Sequence, residues 1–272
     1  MRTAVAAALL AGLVATAAAG PAADAQRADP TPVVTPAPAP APALQRLVAT
    51  APLAGITIAL DPGHQLGNHN FPRQIRRPVP AGGFSKPCNT TGTATNSGYA
   101  EATFTWQVSR LVAARLRALG AEVVLTRTAN SESLWGPCVD YRGRFGARVR
   151  ARLEVSLHGD GARSSGRGFH VIAPVARAPW TTDIAAPSYR LAKALRAGLD
   201  SRHLPRSTYL AGGTALVRRS DLATLNLSDV PVAMIELGNM RNASDARRMK
   251  SPTGRATYAA GVVAGIRKYL GR

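Results

Sequence analysis

The sequence predicts an α/β domain: a single layered unit in which a mostly parallel, mixed sheet is flanked by helices. Three observations carry that expectation. Short β-branched runs alternate with longer amphipathic stretches from Leu53 onward, the pattern of strands joined through helices. No internal repeat or second low-complexity break interrupts that region. Three apolar runs also deliver a histidine or a glutamate at the same end. In a parallel sheet those ends share one rim, which is where sites gather.

The elements follow in order. Residues 1–25 read as a secretory signal peptide: Arg2 is the basic start, 4–19 an uncharged apolar run, and Ala23-Asp24-Ala25 a small-residue cleavage site. The apolar run is short for a membrane span, which takes roughly 20 residues, so no transmembrane segment is expected in the mature protein. Residues 26–52 form a Pro/Ala-rich spacer whose "PTPVVTPAPAPAP" favours an extended polyproline II conformation. Residues 53–272 are the predicted domain. Its strands are read at 56–60, 122–126, 154–157, 168–173 and 232–235. Phe104, Val108, Leu111, Val112, Leu116 and Leu119 share one helical face, and Gly120 ends that helix. Residues 189–199 and 258–270 repeat the amphipathic pattern. Residues 65–99 break the alternation; rich in Gly, Pro, Asn and Thr, they read as one long loop, functional or mobile.

Composition narrows the partners. The chain carries 34 Lys and Arg against 15 Asp and Glu, a formal charge of +19, which attracts polyanions without specifying which. Export argues against nucleic acid and leaves the anionic polymers of a cell envelope. Cys88 and Cys138 are the only cysteines, and an even count in an exported chain favours a disulfide. Such a bond pins the irregular 65–99 segment to the body of the domain.

His64, Glu101, His158 and Glu236 are the candidate functional residues. Each has an ordinary explanation alone: a strand-end histidine bonded at the surface, a carboxylate complementing a helix dipole or capping a helix. Together they make a ligand set. Two imidazoles and one carboxylate hold Zn²⁺ in many hydrolytic sites and leave a position for water, while a second carboxylate accepts the water's proton. On this reading His64, Glu101 and His158 surround Zn²⁺ and Glu236 is the base. No H-E-x-x-H motif is present, so any such site is assembled from distant segments.

The chain resembles the zinc-dependent N-acetylmuramoyl-L-alanine amidases of the Amidase_3 type from about residue 55 to 270. "IALDPGH" resembles the family's opening strand and first histidine ligand. "YAEATFTWQVSRLVAARLRALGAEVVLTR" resembles the glutamate ligand, the helix after it and the next strand. "LEVSLHGDGA" and "GRGFHVIAP" resemble the second-histidine segment and the strand following it, and "DVPVAMIELGNMRNASDARRM" the segment with the catalytic glutamate. The resemblance implies Zn²⁺ on His64, Glu101 and His158, and Glu236 as catalytic base. It also implies hydrolysis of the amide between N-acetylmuramic acid and L-alanine, with peptidoglycan or a muropeptide as substrate in the periplasm, wall or extracellular space. The cysteine pair and long loop resemble an actinobacterial branch. The alternative is a non-catalytic peptidoglycan-binding or regulatory protein on the same fold, against which the retention of all four residues weighs.

Three departures from the family pattern stand out: "QLGNHN" after His64, Gly159-Asp160 after His158, and Gly238-Asn239 after the glutamate. Of the remaining histidines, His69 is a lesser candidate ligand, His170 reads as a structural strand residue and His203 as a solvated residue after a helix.

Overall fold

The computed structural model describes residues 51–272. The predicted signal peptide, and the predicted spacer but for its last two residues, lie outside the described residues. A six-stranded sheet runs in the order β4-β1-β5-β8-β6-β7, with β1 Thr57–Pro62, β4 Glu122–Leu125, β5 Leu153–Asp160, β6 His170–Pro174, β7 Leu216–Arg219 and β8 Val232–Asn239. Strand β1 lies parallel to β4 and β5, β5 parallel to β8, β6 antiparallel to β8, and β7 parallel to β6. The sheet is therefore mixed and mostly parallel, as expected.

Alternation along the central strands sorts their side chains onto two faces. Ile58 and Leu60 of β1, with Leu153, Val155 and Leu157 of β5, join the main core. Three helices cover that face: α2 (Glu101–Ala118), α4 (Ala185–Asp200) and α7 (Pro252–Leu270). In α2, Phe104, Val108, Val112 and Leu116 recur every fourth residue and are buried, so one stripe seats the helix. Phe104 meets Tyr258 of α7 edge-on, with ring centroids 5.8 Å apart. Ala59 faces the other side, against Phe145 of α3 (Val139–Arg148). On that same side Ile172 and Met234 pack near Leu225 of the short helix α5 (Ala223–Asn226). Helix α6 (Ala243–Lys250) follows β8.

Three sequence expectations are adjusted. Strands β5 and β8 extend past the predicted 157 and 235 to Asp160 and Asn239, so His158 and Glu236 lie within strands. Strand β7, only four residues long, carried too little pattern to be read. The 65–99 segment is ordered: a 3₁₀ turn at Leu66–Asn70, helix α1 (Pro72–Arg76), and a hairpin of β2 (Pro78–Pro80) and β3 (Ser85–Pro87). Cys88 and Cys138 form a disulfide, and Cys88 O accepts from Val139 N at 2.7 Å. Among the described residues no helix is long and apolar enough to cross a membrane.

Candidate metal centre

The site lies at the carboxyl ends of β1 and β5. Gly63 is still bonded to β5 through its N–H to Leu157 O at 2.9 Å, and His64 then turns with φ +59°, a left-handed conformation uncommon for a side-chain-bearing residue. Gly63 has no substitute here: a Cβ on it would lie 2.4 to 2.7 Å from three atoms of the His158 ring. Two buried arginines fix the turn. Arg142 of α3 donates to Pro62 O at 2.7 Å and His64 O at 2.8 Å. Arg127 donates to Pro62 O at 3.1 Å and to Ala102 O at 2.7 Å, tying the turn to the first turn of α2.

That first turn begins with Glu101. The residue occupies the helix N-terminus, as expected of an acid there, yet its side chain turns inward and is 5% exposed. Its Oε1 lies 3.2 Å from His64 Nε2 and 2.9 Å from His158 Nδ1, and accepts Gly159 N–H at 3.2 Å. Its Oε2 accepts Thr93 N–H at 2.9 Å. Burial opposes its charge, but the two histidines outweigh burial and hold the carboxyl well below the usual range. On the far side of His64, Nδ1 lies 3.1 Å from Thr90 O. A carbonyl only accepts, so Nδ1 carries a hydrogen, and Nε2, which faces Glu101, is the nitrogen that a cation would take once it is deprotonated.

His64, Glu101 and His158 thus come together, each offering a ligand atom within 4.8 Å of the others. Two imidazoles and a carboxylate suit a divalent cation of the Zn²⁺ kind. Glu236 adds a second reason. It is the register partner of His158, and its Oε2 is buried without a hydrogen-bond partner. Burial, with the charges of Glu101 and Asp160, pushes its carboxyl well above the ordinary range. A cation held by these residues would offset that repulsion and favour the carboxylate form of Glu236.

Around this centre stand the other residues singled out in the sequence, with several that were not. Asp160 accepts Tyr209 O–H at 2.9 Å and Gly161 N–H at 2.6 Å. Asn239 donates to Arg163 O at 2.8 Å and Gly166 O at 2.7 Å, so this departure from the family pattern organises the loop that follows β5. His69 is exposed and sits 3.2 Å from Glu132, outside the cluster. His203 follows α4, exposed, as expected. His170 is a buried strand residue, as expected, and is the register partner of Glu236. Arg127 ends one of the quoted motifs, but Arg142 and Tyr209 left no periodic or motif signal, because each works through contacts distant in sequence.

A family model described as N-acetylmuramoyl-L-alanine amidase, Amidase_3, matches residues 58–268. The chain is 42% identical over 223 residues to the N-acetylmuramoyl-L-alanine amidase Rv3717 of Mycobacterium tuberculosis, covering 81% of this chain and 88% of that protein. Its fold matches the crystal structure of the amidase Ami1 from Mycobacterium smegmatis with a TM-score of 0.74 and 41% identity, over 80% of this chain and 98% of that one. The apo form of Ami1 from Mycobacterium abscessus matches equally, with a TM-score of 0.74 and 41% identity over 80% and 100% of the two chains.

Proposed function

The chain belongs to the Amidase_3 family of N-acetylmuramoyl-L-alanine amidases, and from that premise we propose that His64, Glu101 and His158 hold Zn²⁺ while Glu236 is the catalytic base. As an enzyme of this family it hydrolyses the amide joining N-acetylmuramic acid to L-alanine in peptidoglycan. The observation that carries the site assignment is the convergence of the three ligand atoms within 4.8 Å beside an unpartnered buried carboxylate.

When bound, Zn²⁺ supplies Lewis acidity that polarises the scissile carbonyl and makes water a nucleophile at neutral pH. The protein's own contribution is positional and protonic. Glu101 carries its charge to the centre and keeps its Oε2 on Thr93 N–H, which fixes the direction of Oε1. Thr90 O fixes the tautomer of His64. Glu236 takes the proton of the attacking water, the carbon–nitrogen bond breaks, and that proton passes to the alanine nitrogen as it leaves. His158 and Glu236 are adjacent across β5 and β8, which keeps the proton transfer short.

Export and wall attachment complete the proposal. The N-terminal sequence reads as a secretory signal peptide, and on this proposal the charge of +19 draws the enzyme to anionic envelope polymers. Purified protein incubated with sacculi and Zn²⁺ should release peptides with a free L-alanine amino terminus, detected by mass spectrometry, and bind one equivalent of metal. Glu236→Gln should retain the metal and lose at least a hundredfold in rate, the scale of a lost general base. Wild-type turnover by Glu236→Gln would remove this residue from the mechanism.

A further inference from the structure

Sheet register sets a third imidazole beside the proposed base. His170 opens β6 and is the antiparallel partner of Glu236, itself the parallel partner of His158. Directly paired residues project from the same face. His158, Glu236 and His170 therefore stand in a row across three strands, the carboxylate in the middle.

Two buried atoms in this row lack partners. His170 is 2% exposed and its Nδ1 has no hydrogen-bond partner, like Oε2 of Glu236 beside it. Buried polar atoms in folded proteins are nearly always bonded, so unpaired atoms on two register-paired side chains beside the proposed reaction centre point to a partner that arrives with the substrate. The neighbour that could have satisfied the ring does not. Tyr209 meets it edge-on with centroids 6.0 Å apart, but the tyrosine hydroxyl is committed to Asp160.

The row also has a direction. The carbonyl under attack belongs at the His64–Glu101–His158 end, and the leaving nitrogen must come within reach of Glu236. The chain beyond that nitrogen then continues toward His170. Burial holds this imidazole to a pKa of about 4, so it is neutral at working pH and offers one donor and one acceptor. A backbone amide has the same two capacities. A free carboxylate is disfavoured here by Glu101, Asp160 and Glu236.

We propose that His170 is a substrate-contacting residue that hydrogen-bonds the first peptide unit on the leaving, stem-peptide side of the scissile amide. This rests on the reading of Glu236 as base. The test compares wild type with His170→Phe, His170→Asn and His170→Gln on N-acetylmuramoyl-L-alanyl-D-isoglutamine. Metal content, melting temperature and calorimetric binding of the product L-alanyl-D-isoglutamine are measured on each protein. Phe should lower kcat/KM and weaken product binding at least tenfold, with metal content and melting temperature kept. One amide variant, Asn reaching near Nδ1 or Gln near Nε2, should recover part of both. The proposal is overturned if Phe leaves both quantities within twofold of wild type, or if neither amide variant recovers anything, which marks a purely structural ring. Turnover by Glu236→Gln would instead strike at the assignment of the base and is read in a separate assay.

Discussion

Asp61 is fully buried and faces an arginine that is itself only 2% exposed. Burial alone raises a carboxyl's pKa, yet Arg142, Ser156 and Thr126 together hold this one below its usual range. Ser156 donates to Oδ2 at 2.6 Å and Thr126 to Oδ1 at 2.7 Å. Removing one member of a buried pair strands the other charge, at a cost of about 3–5 kcal/mol. The same Arg142 holds Pro62 O and His64 O, so Asp61→Asn should lose about that much stability in urea titration and weaken metal retention against a chelator. The sign with pH follows from the lowered value. Asp61 contributes stability above its unfolded pKa and loses it as pH falls through the folded one, so the variant should show a shallower acid limb below pH ~4. None of this was legible in "ALDPGH", where Asp61 reads as a turn residue. The arginine that makes it structural lies 81 positions away.

At the scale of elements, strand and helix periodicity predicted the central strands, the helix from Glu101 and its stop at Gly120, because burial on one or both faces writes a repeating pattern. Predicted strands stopped short where polar function interrupts the pattern: His158 and Glu236 continue β5 and β8 but look like their ends. The 65–99 segment has no periodicity because what orders it is a staple and isolated hydrogen bonds rather than a buried face. Cys88 is bonded to Cys138 across 50 positions. Asn89 next to it donates to Pro137 O at 2.7 Å, and Asn68 bridges Thr90 O at 2.7 Å and Gly136 N–H at 2.8 Å. Thr90 O is also the acceptor that orients His64, so the staple lies two residues from a contact of the metal centre. Replacing both cysteines by serine should lower unfolding free energy by about 4 kcal/mol in the chain-entropy account. It should also weaken metal affinity in chelator competition; unchanged affinity would confine the disulfide to stability.

Over the whole molecule, positive charge is in excess, while three acids gather at the centre. The excess of 19 positive charges is a property of the chain at large, while Glu101, Asp160 and Glu236 gather at one end of β5 and β8 and the start of α2. Composition alone revealed the first fact; the second needed the fold, which brings together acids 59 and 76 positions apart. The two fields do different things. On the proposed reading the excess positive charge draws the enzyme to an anionic polymer, an attraction screened over about 10 Å at 0.1 M salt. Chemistry at the buried centre depends on short-range contacts, so on this reading capture and chemistry respond differently to ionic strength. Raising salt from 50 to 500 mM should therefore reduce retention on sacculi and slow their digestion several-fold. The kcat/KM for a soluble muramoyl dipeptide, whose capture owes little to the excess charge, should change less than twofold. Equal salt sensitivity for polymer and dipeptide would place the effect at the metal centre itself, and salt-independent retention would leave the excess charge without a role in holding the enzyme to the wall.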